Sequence, residues 1–183
     1  MRIALTLFAA AAMTLAACDT KTNDAAPESE AARDAAGDKT IASGLGADDS
    51  KFAEAAKSAG LDATLAGPGP YTVLVPVNGA FDKLPAGALD TLLKPESRAQ
   101  LTKTLTGHIL PGAILAADIG KAIDNGKGKA ALATFGGGTI TATREGDKIV
   151  LTDAAGGKAV ITGADDKRSN GVVHHVDGVL MPS

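Results

Sequence analysis

The spacing of apolar positions divides the chain into three stretches. Ile3 to Leu15 is an almost unbroken apolar run. Asp19 to Lys39 carries few large apolar residues and is rich in Ala, Asp, Glu, Lys, Thr and Ser, so it lacks the surface to offset its own ordering entropy. From Ile41 onward the pattern becomes periodic. Phe52, Ala55, Ala56 and Ala59 predict a helix that Asp48, Asp49 or Ser50 can cap and Gly60 can end. Gly67-Pro68-Gly69-Pro70 predicts a turn, and Tyr71-Thr72-Val73-Leu74-Val75 a short strand stopped by Pro76. Leu89, Leu92 and Leu93 form a helical patch. After Pro95, Leu101, Leu105 and Ile109 recur every fourth residue and predict the longest helix, broken by Pro111-Gly112. Ile114, Leu115 and Ile119 suggest one more short helix. Thr139–Arg144, Lys148–Thr152, Lys158–Thr162, Val172–Val176 and Val179–Met181 are then β-prone runs between Gly and Asp turns.

Helices first and strands later predict an α+β class, with the helices packed to one side of a mixed or antiparallel sheet formed mostly by the C-terminal half. At 183 residues, less its flanks, the chain has room for one domain. With 3% aromatic residues and no Trp, its core must be aliphatic.

Arg2, the apolar run and the small residues after it make a secretory signal, too short to span a bilayer comfortably. Leu15-Ala16-Ala17-Cys18 resembles the bacterial lipobox, which implies removal of residues 1–17 and acylation of Cys18. As the only cysteine, Cys18 has no intramolecular disulfide partner. Residues 18–39 then read as a lipidated cysteine and a disordered tether, and 40–183 as the domain. The resemblance places the protein in the bacterial cell envelope, on the inner or outer membrane. In the enterobacterial sorting rule, Asp19 after the cysteine favours the inner one.

Three further segments carry a second resemblance. Tyr71-Thr72-Val73-Leu74-Val75-Pro76-Val77-Asn78-Gly79-Ala80-Phe81 is similar to the first box of the fasciclin (FAS1) domain family, with Val77 and Gly79 departing from its usual Thr and Glu. Gly107-His108-Ile109-Leu110 is similar to the family's central helix end. Ser169 through Pro182, containing Asn170-Gly171, His174, Asp177 and Leu180, resembles the second box with every fixed position filled. Covering Thr40 to Ser183, the resemblance implies a wedge-shaped fold and a role in adhesion or protein interaction. Thr72, Phe81, His108, Asn170, Gly171 and His174 are its structural motif positions. Within the boxes, Asn78 suits the start of the helix that carries Phe81 inward, and Asn170-Gly171 supplies a tight turn.

The chain offers little for catalysis. His174 and His175 are adjacent in a strand, so their rings diverge and no convergent metal set forms with His108. Structural hydrogen bonding of His108 and His174, with His175 solvated or at a surface, is the expectation. Asp165, Asp166 and Asp177 read as turn formers. No Gly-x-Ser-x-Gly elbow occurs, and Gly136-Gly137-Gly138 lacks the Lys-Ser/Thr of a phosphate loop. A net charge of −3 with interspersed signs excludes a basic field for nucleic acid, and Lys121–Lys129 reads as a solvated loop. No catalytic residue, metal or cofactor is therefore expected. The expected function is a non-enzymatic, membrane-anchored module binding an envelope or extracellular protein or matrix component. Pro76, Val77, Asn78, Gly79, His174, His175 and Asp177 are its candidate contacts. A periplasmic carrier or sensor of a small apolar ligand is the alternative.

Overall fold

A computed structural model describes residues 37–181. The signal segment, Cys18, most of the expected tether and Pro182 lie outside the described residues. Among those described, no helix is long and apolar enough to cross a membrane.

The helical half comes first: α1 (Ile41–Gly44), α2 (Ser50–Ala59) and α3 (Asp62–Ala66), then β1 (Tyr71–Pro76), α4 (Asn78–Phe81), α5 (Ala88–Leu93), α6 (Arg98–Thr106) and β2 (Ile109–Pro111). After α7 (Ala116–Asn125) the chain is nearly all sheet: β3 (Lys129–Ala133), β4 (Thr139–Glu145), β5 (Lys148–Thr152), β6 (Lys158–Arg168) and β7 (Gly171–Val176). One seven-stranded sheet runs in the order β2-β1-β7-β6-β5-β4-β3. Its β1/β7 pair is parallel and its other pairs antiparallel, which gives the mixed sheet of the predicted α+β class.

The central parallel pair explains why Thr72-Val73-Leu74-Val75 is apolar without alternation. Both of its faces are covered, as is usual for parallel strands. Val73, Val75 and Val173 join Phe52, Phe81, Leu101 and Leu105 in the core beneath the helices. Leu74 and Val176 point the other way, into a second core with Ile119, Ile123, Leu151 and Leu180. Side chains one residue apart thus serve different cores, as a period of two requires.

Several expectations need correction. The segment after Pro95 is a 3-10 turn, Pro95–Ser97, followed by the nine-residue α6, so α2 and α7, with ten residues each, are longer. Ile109 lies in β2 because pairing of Leu110 with Thr72 draws the chain out of the helix. Lys121 belongs to α7, whose Ile119 and Ile123, four apart, are buried while the lysine projects outward. Lys129 opens β3, a strand of alanines whose alternation is too weak to read. Val179–Met181 forms no strand. Strand β6 runs past Thr162 to Arg168 through two register shifts, so Asp165 and Asp166 sit in a bulged strand and not in a loop.

Candidate functional site

The residues of the family boxes act as polar bolts between segments far apart in sequence. Thr72 Oγ1 donates to Gly112 O at 2.7 Å and accepts from Ile114 N at 2.8 Å. Buried Asn170 accepts from Ile41 N at 2.8 Å and donates to Leu65 O at 2.8 Å and Gly67 O at 2.7 Å. Beside it Gly171 is obligatory, since a Cβ there would collide with the Tyr71 carbonyl. Phe81 is buried in the helical core.

His108 and His174 are both fully buried. His108 Nδ1 donates to Thr104 O at 2.9 Å and Nε2 accepts from Leu180 N at 3.1 Å, which fixes one neutral tautomer. His174 adopts the other, with Nε2 donating to Ile114 O at 2.9 Å and Nδ1 accepting from Asp165 N at 3.2 Å. Burial lowers the pKa of each ring, outweighing the upward pull of the Thr104 carbonyl and Asp153 on His108, and of the Ile114 carbonyl and Asp165 on His174. With both nitrogens committed to the backbone, neither ring is left to carry protons or bind a metal.

The candidate contact segments do converge. Parallel pairing sets Val75 beside His175 and Pro76 beside Val176, and Val77 N donates to Val176 O at 3.1 Å. The loop after β1 and the end of β7 therefore share one rim of the sheet. Around them lie the start of α2 and the chain just beyond α4: His175 Nε2 is 3.2 Å from Asp49 Oδ2, Lys51 pairs with Asp82, and Lys83 Nζ is 2.9 Å from Asp177 Oδ2. Burial pulls the Asp177 pKa up, but the Val160 N–H, at 2.7 Å, and Lys83 together outweigh it and hold the carboxyl below its ordinary value.

Not every expected contact reaches solvent. Pro76 and His174 are buried and present no surface. Asn78 is not the cap of its own helix: Oδ1 accepts from Lys51 N at 3.0 Å and Nδ2 donates to Ala47 O at 2.8 Å, so it holds the start of α2, where the Asp49 side chain makes no cap bond. His175 is half-buried against Asp49, and not simply solvated. Gly79, open on all sides, and Asp177 remain accessible, joined by Asp82 and Lys83, which sequence reasoning had not singled out. Nothing in the local sequence marks Lys83, because its partner lies 94 residues away. A cleft lined by Thr134, Asp153 and Leu180 has a volume of about 30 Å³, room for a water or two, whereas more open clefts beside α5, one lined by Pro85, Leu92 and Met181 and one by Phe81, Leu84 and Leu89, have about 290 and 370 Å³.

Residues 47–182 match the family model of the fasciclin domain, and the chain belongs to that family. It is 35% identical to the protein sll1483 of Synechocystis sp., over 98% of this chain and 93% of that one. It is also 35% identical to the transforming growth factor-beta-induced protein ig-h3 of Sus scrofa, over 70% of this chain but 17% of that protein. With the immunogenic protein MPB70 of Mycobacterium bovis it shares 32% identity, over 62% of this chain and 51% of that one. A solved FAS1 domain pair from the insect cell adhesion molecule fasciclin I superposes with a TM-score of 0.68 at 18% identity, covering 77% of this chain and 50% of the pair. That likeness establishes the fold.

Proposed function

We propose that this protein is a non-catalytic binding module, held on the bacterial envelope through a lipidated Cys18, that engages a protein or matrix component by the rim between Val77 and Lys83 and between His175 and Asp177. The observation that carries this reading is the convergence of two sequence-distant segments into one rim of solvent-accessible, oppositely charged side chains at one end of the β1/β7 pair. Lys51, Asp82, Lys83 and Asp177 give that rim both signs, which suits a polar protein surface better than an apolar ligand. Membership in a family that includes an insect cell adhesion molecule supports adhesion as the biological setting.

The test uses the chain from residue 18 onward with Cys18→Ser, labelled and added to envelope fractions. Saturable binding that unlabelled protein competes away, and that Lys83→Glu or Asp82→Lys weakens at unchanged melting temperature, is expected. Binding that neither charge reversal alters would remove this rim from the reading. Anchoring is checked separately, by the membrane-to-soluble shift of the full chain on Cys18→Ser.

A further inference from the structure

Phe135 is the one large apolar side chain exposed among the described residues, at 53%. It is not on a loose loop: Phe135 N donates to Ile109 O at 2.9 Å and Gly136 N to Thr106 O at 3.0 Å, so the backbone is pinned to β2 and the end of α6. Its ring meets that of Tyr71 edge-on, centroids 5.7 Å apart, and Tyr71 pairs in register with exposed Pro111. The three strand-bearing segments that meet here, residues 63–81, 104–117 and 130–143, contain no Asp, Glu, Lys or Arg. His108, the one titratable side chain among them apart from Tyr71, is buried and held neutral by its backbone partners. An aromatic pair with proline and glycine neighbours thus occupies one end of the domain, with the charged residues Asp38, Lys39 and Lys167 on the adjoining segments.

That end is also where the chain from Cys18 arrives. Gly37 N donates to Lys167 O at 3.3 Å and Ser169 N to Lys39 O at 3.0 Å, while the next residue, Asn170, receives Tyr71 N at 3.1 Å. The partner-binding rim lies at the opposite end of the same two strands, β1 and β7, about 16 Å away along the six-residue pair.

We propose that the Phe135–Tyr71 end docks on the lipid bilayer interface, so that the domain stands with its Val77–Lys83 and His175–Asp177 rim facing away from the membrane. This inference rests on the anchoring of Cys18. Asp19 to Ala36, even fully extended, spans only about 60 Å, so the domain is confined beside the bilayer and a weak contact is enough to orient it. The chemistry favours lipid over the other occupants. Aromatic side chains settle at the membrane interface, and a glycan would call for amide or carboxylate groups beside the rings, where these segments offer none but Asn78, committed to α2. A second copy seated on a single exposed Phe would bury far less than a stable dimer needs.

The test makes use of the only cysteine and the absence of tryptophan. The chain from Cys18 to Ser183, carrying Phe135→Trp, is coupled through Cys18 to a maleimide lipid in phosphatidylcholine vesicles, so the outcome does not depend on whether cells acylate Cys18. Docking predicts that the emission of the introduced tryptophan shifts to the blue on coupling and is quenched by brominated acyl chains. It also predicts slowed hydrogen exchange at residues 134–139 in the coupled wild type, an effect that Phe135→Asp reduces about tenfold or more, as expected from withdrawing a half-exposed Phe from lipid. An emission that coupling leaves unchanged, with exchange equally fast in wild type and Phe135→Asp, overturns the proposal. A blue shift that instead grows with protein concentration in the absence of vesicles overturns it in favour of self-association. Loss of membrane partition by Cys18→Ser in cells reports on the anchor alone, so failure of that reading and failure of this one are told apart.

Discussion

The half of the domain around β1, β2 and β7 and the half built from β3 to β6 are fixed by different means. In the first, segments distant in sequence meet, and single buried polar side chains hold them: Thr72, Asn170 and His174 bond to backbone tens of residues away, and His108 bonds across a helix end. In the second, consecutive strands pair through short turns, and β4 binds β5 in unbroken register from Thr141↔Thr152 to Glu145↔Lys148. Local pairing there carries its own geometry. A polar bolt in a core is all-or-nothing, because losing one partner strands the other in a dry interior. A cross-strand pair at the surface loses only its own small contribution.

The largest expected effect tests this contrast directly. Asn170→Ala orphans Ile41 N, Leu65 O and Gly67 O at once, and should cost about 3 to 5 kcal/mol in urea denaturation. Thr143→Ala, which removes a partly buried strand contact to Val150 O, should cost under about 0.5 kcal/mol. Equal losses at the two positions would erase the distinction between bolted and zipped halves.

Next in size is the response to pH. An unfolded histidine takes up a proton near pH 6.5, whereas buried His108 and His174 resist it, so below that pH the unfolded state binds more protons and stability falls as the pH is lowered. The slope approaches about 1.4 kcal/mol per pH unit for each histidine until its depressed native pKa is reached. Urea midpoints from pH 7.5 to 5, with histidine NMR of the folded protein, should show declining stability while both rings stay neutral. Rings that titrate at the ordinary value without loss of stability would contradict the burial argument.

Smaller again is Asn78→Ala, expected to cost about 1 kcal/mol and to raise hydrogen exchange in the first turn of α2 specifically. If the first turn of α4 frayed instead, Asn78 would be capping its own helix after all. Smallest is Lys83→Ala, whose partly exposed pair with Asp177 should contribute within about 0.5 kcal/mol, so a strong effect on partner binding at that position would not be a stability effect in disguise.

The legibility of the molecule follows the same division. Lys148–Thr152 is read to the residue as a β-prone run between turn residues, because hairpins are local. Gly60 ends α2 in the left-handed conformation expected of it. Ile109 defeats the periodicity argument because its four-residue spacing from Leu105 also suits a strand entering the same core, and only pairing with β1 decides between them. Alanine-rich β3 carries too little contrast to show a period. In the candidate site, the convergence of Asn78 and Asp177 follows from the parallel β1/β7 pair, while the burial of Pro76 and His174 depends on layers contributed by other segments.

The sequence by itself determined the α+β class, the aliphatic character of the core and membership in the fasciclin family, because periodicity, side-chain volume and fixed box residues are written in consecutive positions. Tertiary structure alone decided which polar residues face inward as bolts and which face outward as surface. The hydrogen-bond partners of Asn170 and Asn78 and the ion-pair partner of Lys83 lie tens to more than a hundred residues away. A polar side chain is equally at home in water or against a buried amide, and only the packing of distant segments settles which of the two it meets.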